Sequence, residues 1–166
     1  NGIAALRNYP RMTHAFASDI IDDSEGDLTC VYKGALSRYT RSLVYMKPGP
    51  LFVFDRVQAN EGHEYNWLFH AEHTDGKNAI VYENGRMTIT RPEARLTMDV
   101  IAPEIARSTI RNSDRDESFI ALSSASGLKE TAFLGVMLPE SGKGPAASMT
   151  STKIEAEGWI GAKVER

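Results

Sequence analysis

The sequence predicts an all-β fold, an antiparallel two-layer β-sandwich, on three observations. Roughly a dozen short runs rich in β-branched and aromatic residues recur along the 166 residues, separated by Gly, Pro, Asn, Asp and Ser. Within several of them apolar and polar residues alternate, the period of a strand with one face buried. No segment carries the 3.6-residue period of an amphipathic helix.

Taken in order, residues 1–13 show no strong period, and Tyr9-Pro10 disfavours helix there. Residues 14–21 and 28–35 read as strands around the acidic stretch Asp22-Asp23-Ser24-Glu25-Gly26-Asp27, expected to be a solvated turn. That stretch lacks the alternation and closing Glu of a calcium-binding loop. The clearest structure lies between Tyr39 and His70. Residues 39–46 form a strand, Lys47-Pro48-Gly49-Pro50 breaks it, and 51–59 resume with apolar residues on both faces, Leu51, Val53 and Val57 on one and Phe52 and Phe54 on the other. A run apolar on both faces is expected at the centre of a sheet. Residues 64–72 then place Tyr65, Trp67, Phe69 and Ala71 on one face, which makes Tyr65 and Trp67 core residues rather than sugar platforms.

Further on, Asn84-Gly85 between residues 79–83 and 86–91 is a strong hairpin signal, and a two-residue turn there pairs Ile80 with Ile89 and Tyr82 with Met87. Ala94, Leu96, Met98 and Val100 alternate with Arg95, Thr97 and Asp99, a half-buried strand. Residues 102–117 read as a loop with a short strand near 107–111. Residues 119–124 and 131–138 read as a pair around Ser126-Gly127, the second apolar enough to be central. Residues 139–148 form a loop, and 152–156 with 159–164 close the chain as a hairpin through Gly158.

The length suits one domain, taken as residues 1–166. A net charge of −3 argues against nucleic acid as partner, since phosphate binding needs a concentrated basic surface. No apolar run approaches the roughly 20 residues that cross a bilayer. Asn1-Gly2-Ile3 opens without Met or a basic-then-apolar leader, so the chain is expected to be a processed product or part of something longer. The lone Cys30 is expected to be a small core residue. Nucleophile, P-loop and dinucleotide motifs are absent from the sequence.

Five stretches carry a resemblance: Asp27-Leu28-Thr29 with Tyr32, Arg41 before its hydrophobic run, Lys47-Pro48 with Phe52-Val53-Phe54-Asp55-Arg56-Val57, Trp67-Leu68-Phe69-His70, and Phe133-Leu134-Gly135-Val136-Met137-Leu138-Pro139. In this order and spacing the chain resembles the C-terminal β-sandwich region, supersandwich-like, of heparinase II/III-type polysaccharide lyases. The resemblance implies a bacterial, periplasmic or secreted enzyme that cleaves acidic polysaccharide, such as a glycosaminoglycan or alginate, by β-elimination. It implies an N-terminal α-helical toroid carrying most of the chemistry, and a structural zinc held by a His-x-His-x-x-Asp-like motif. That motif does not occur here, so this part is expected to be supportive, with no cofactor and no catalytic residue of its own. The alternative is a stand-alone carbohydrate-binding or structural sandwich.

β-Elimination needs a neutraliser for the uronate carboxylate, a base and an acid. His70, His73 and Asp75 are the tempting local set, but on a strand residues three apart face opposite ways, which disfavours a shared metal. His70 is then expected to be a hydrogen-bonded histidine at a sheet surface. Asp55 shares the face of Val53 and Val57 and needs donors, which a pairing with an Arg would supply. If the turn sets Met46 against Leu51, Arg41 stands opposite Arg56, and two like charges abreast call for an anion. Arg41, Arg56 and His70 are thus the candidate substrate contacts, with Tyr39 and Tyr45 as possible stacking rings.

Overall fold

The structure, a computed structural model, describes residues 9–72, 80–112, 117–142 and 148–165. Among the described residues, thirteen strands make an eight-stranded antiparallel sheet, a three-stranded sheet and a terminal hairpin. The large sheet runs β1 (Arg11–Ala17), β2 (Ile21–Asp27), β3 (Arg38–Met46), β4 (Leu51–His63), β11 (Leu128–Ser141), β8 (Ala94–Ala102), β7 (Arg86–Thr90) and β6 (Ile80–Glu83). The small sheet is β5 (Asn66–Glu72), β10 (Glu117–Ser123) and β9 (Arg107–Asn112), and the hairpin is β12 (Thr150–Ala156) with β13 (Trp159–Glu165). Among the described residues no helix is long and apolar enough to cross a membrane.

The expected central strand is central: β4 and β11 stand side by side in the middle of the large sheet. Their inner face puts Val53, Val57, Ala59 and Phe133 against Trp67, Ile120 and Leu122 of the small sheet, with Ile80, Met87 and Met98 completing the core. Tyr65 and Trp67 are buried, as their alternation predicts. At Asn84-Gly85 both residues take positive φ, 50° and 77°, and the turn sets Ile80 against Ile89 and Tyr82 against Met87.

The sandwich has an addition on its outer face. Phe52, Val136 and Leu138 are covered by Met149, Ala162 and Val164, so the terminal hairpin forms a partial third layer. It explains why Thr97 and Asp99, expected on the solvent side of a half-buried strand, are buried. Arg86 beneath the hairpin donates from Nε to Asp99 Oδ1 at 2.6 Å and from Nη2 to the Met149 carbonyl at 2.7 Å. The charge-assisted bond to Asp99 raises the Arg86 pKa.

Five expectations are corrected. The acidic stretch is strand β2 rather than a turn, and the chain reverses earlier, at residues 18–20. Its partners explain this: His14 pairs with Asp23, Arg11 with Asp27 and Lys47 with Asp22, while Thr13 and Ser42 donate to Glu25. Polar pairs across an exposed edge hold the ladder that apolar alternation holds elsewhere. Residues 28–35 are no strand but a short 3-10 turn, Thr29–Tyr32, ended by Lys33 and Gly34 at φ 49° and 87°. Cys30 therefore sits half-buried in a connection, not in the core. Strands β10 and β11 do not pair, because Ser126-Gly127 carries the chain from the small sheet to the large one, where a Cβ on Gly62 would meet the Gly127 carbonyl at 2.6 Å. Residues 139–148 begin as strand, since β11 continues to Ser141.

Candidate functional site

The register between β3 and β4 decides where the candidate arginines go. Tyr45, not Met46, faces Leu51, since the Met46 N–H donates to the Pro50 carbonyl and the loop is one residue longer than expected. Arg41 then faces Asp55, and Arg56 faces Thr40. The two arginines lie on opposite faces of the sheet and share no anion, which corrects the predicted like-charge pair.

Arg41 is the partner that Asp55 needs. Its guanidinium donates to the carboxylate through Nε at 2.7 Å and Nη2 at 2.6 Å, and the Tyr39 hydroxyl adds a longer bond of 3.3 Å to Oδ2. Asp55 is 1 % exposed. The hydrogen bonds raise the Arg41 pKa, and burial followed by the Asp55 charge pushes the Tyr39 hydroxyl up well above its usual 10.0. A carboxylate so enclosed holds the sheet together, and its arginine has little left to offer a ligand.

His70 stands on the outward face of the small sheet, exposed, with its ring 5.5 Å from that of Phe119 across the β5–β10 ladder. The expectation of a surface histidine holds, and among the described residues its contact is the Phe119 ring rather than a hydrogen bond. His73 and Asp75 lie outside the described residues. Among the described residues no three of His, Cys, Asp and Glu converge as a metal would require. Nor is any described histidine hydrogen-bonded to a tyrosine; Tyr39 donates to Asp55 and Tyr65 to the Lys129 carbonyl at 3.1 Å.

The outer face at Arg56 is different. Arg38, Gln58 and Glu130 form one cross-strand row over β3, β4 and β11; Thr40, Arg56 and Ala132 form the next, and Ser42, Phe54 and Leu134 the third. Arg56 lies over the Phe54 ring at 4.9 Å. The tip of the terminal hairpin, with Gly158 at φ 80° and Trp159, rises beside these rows and encloses a groove of about 430 Å³. Trp159 is 56 % exposed. No local pattern singles out Trp159, since the groove exists only once the hairpin folds back on β4 and β11.

No family model and no curated protein matches the sequence. Solved structures do. The heparinase III BT4657 gene product superposes with a TM-score of 0.71 at 11% identity, over 93% of this chain and 26% of that one. The chain has the β-sandwich fold of heparinase III. Heparan sulfate lyase HepC from Pedobacter heparinus gives 0.67 at 12% identity, and a further heparinase III 0.67 at 13%, each over the same shares of the two chains. The resemblance read in the sequence is thus a resemblance of fold, and the chain spans about a quarter of the length of the heparinases it matches.

Proposed function

We propose that this chain is the C-terminal β-sandwich part of a bacterial heparinase II/III-like lyase, periplasmic or secreted, that cleaves a uronate-containing polysaccharide by β-elimination. In this reading the sandwich supports the reaction and an N-terminal α-helical toroid, with the family's zinc held outside this chain, performs it. One observation carries it: 93% of the chain superposes on 26% of heparinase III, leaving room for a second, larger body. The side chains agree. Asp55, Arg41 and Tyr39 are tied to one another, and His70 faces Phe119 rather than a proton-transfer partner.

The test compares the full-length gene product with the 166-residue chain on glycosaminoglycans and alginate, following the absorbance of the unsaturated uronate. Turnover by the former and none by the latter is expected. Turnover by the chain alone, or none by the full product on any uronate polymer, overturns the assignment. A stand-alone carbohydrate-binding sandwich is favoured by the Trp159 groove and predicts binding without turnover in both.

A further inference from the structure

We infer that the groove between the β3–β4–β11 face and the tip of the β12–β13 hairpin is a binding site for an anionic sugar unit, a pyranoside bearing carboxylate or sulfate. Four features converge there. Trp159 offers an exposed indole at the rim, and the polarised C–H face of a pyranose stacks on the electron-rich face of such a ring. Arg38 and Arg56 line the same groove, exposed, and among the described residues neither has an ion-pair partner. They are diagonal neighbours across β3 and β4, roughly 7 Å apart at the backbone, so both forks can reach one anion or anions on successive rings. Arg56 Cζ lies 4.9 Å from the centroid of the Phe54 ring, a cation–π contact that restrains the charge toward the groove before any ligand arrives.

The remaining lining favours a sugar over other anions. Gln58 and Glu130 sit beside Arg38 in the same row and suit hydroxyl groups. Ala132, the partner of Arg56 on β11, adds little bulk to the floor. Single-stranded nucleic acid would also stack on Trp159, but it needs a basic track along the backbone, and here two arginines stand next to an acid in a chain of net charge −3. The inference stands on this geometry and not on the lyase assignment, and it is read by binding rather than turnover.

Isothermal titration of the full 166-residue chain with heparan sulfate hexasaccharide, alginate hexasaccharide, a neutral glucan of equal length and oligothymidylate tests it. At least one acidic hexasaccharide is expected to bind roughly tenfold more tightly than the neutral one, the discrimination of about one charge-assisted contact. Binding of heparan sulfate alone assigns sulfate; binding of both acidic ligands assigns carboxylate. Trp159→Ala and Arg56→Gln, both at exposed positions, should each weaken that binding about tenfold with the unfolding midpoint unchanged. Failure of both acidic ligands to bind, affinity indifferent to both substitutions, or tighter binding of oligothymidylate overturns it.

Discussion

Arg41 and Asp55 face each other across β3 and β4 and are joined by two parallel hydrogen bonds of 2.7 and 2.6 Å. Asp55 is buried on the core face between Val53 and Val57, while the Arg41 side chain is 38% exposed. Removing the arginine therefore strands a carboxylate that water barely reaches. Arg41→Ala should lower unfolding free energy by about 3 kcal/mol, the low end for a broken buried pair because Arg41 itself is partly solvated. Arg41→Lys keeps the charge but not the fork and should recover only part. Urea unfolding of the three proteins measures this, and sugar affinity at the groove, on the opposite face, should not change.

Tyr39 gives the chain a stability slope in alkali. Its folded pKa is raised, first by burial and then by the Asp55 charge. Below pH 10 both folded and unfolded chains keep the proton, so no differential exists. Above it the unfolded chain ionises while the folded one does not, and stability falls as pH rises. Burial raises Tyr65 and Tyr82 in the same direction. Unfolding midpoints should decline above about pH 10, and Tyr39→Phe should make the decline shallower.

What the sequence made legible was whatever local alternation encodes. The burial of Val53, Val57, Tyr65 and Trp67 and the Asn84-Gly85 turn could be read because side-chain period and turn chemistry act within a few residues. The β1–β2 hairpin could not, because its ladder is built from Arg11, His14, Asp23 and Asp27 paired across strands, and charges at such spacing look like a loop until the partner strand is known. The candidate arginines failed on one residue of loop length: with Met46 in the turn, every side chain of β3 shifts by one place against β4. The sheet exchange at Gly127 and the groove at Trp159 depend on contacts far apart in the chain, and neither leaves a local pattern.

Asp27 sets the opposite slope in acid. Its carboxylate accepts the Thr29 N–H at 3.0 Å, which with the Thr29 hydroxyl and the Arg11 charge holds its pKa below 3.8. Its contribution is therefore complete above that value and lost as pH falls through the folded pKa. Asp27→Asn should reduce the acid dependence of stability between about pH 5 and pH 2, and NMR titration of the Asp27 carboxyl should give a midpoint under 3.8. Because Asp27 holds the first residue of the turn that feeds β3, the loss should show first as faster amide exchange at Thr29 and Tyr39, whose N–H groups are bonded to Asp27 and to the Thr29 hydroxyl.

Gly135 of β11 lies against the Trp67 ring of the small sheet. A Cβ there would stand 2.8 Å from Trp67 Cη2 and 2.9 Å from Met98 Sδ, inside van der Waals contact with both. Trp67 cannot swing aside freely, since its ring packs tilted against Phe133 at 5.4 Å and edge-to-face with Phe69 at 4.8 Å. Gly135→Ala should thus cost about 1–3 kcal/mol by overpacking, although a strand interior otherwise prefers alanine to glycine. If the indole is the obstacle, Trp67→Phe should destabilise less in the Gly135→Ala background than alone, a coupling that a double-mutant cycle in urea detects. The chain's other tryptophan, Trp159, lies at the exposed groove, so in a Trp159→Phe background the fluorescence of Trp67 alone reports whether the added methyl has opened the core to water.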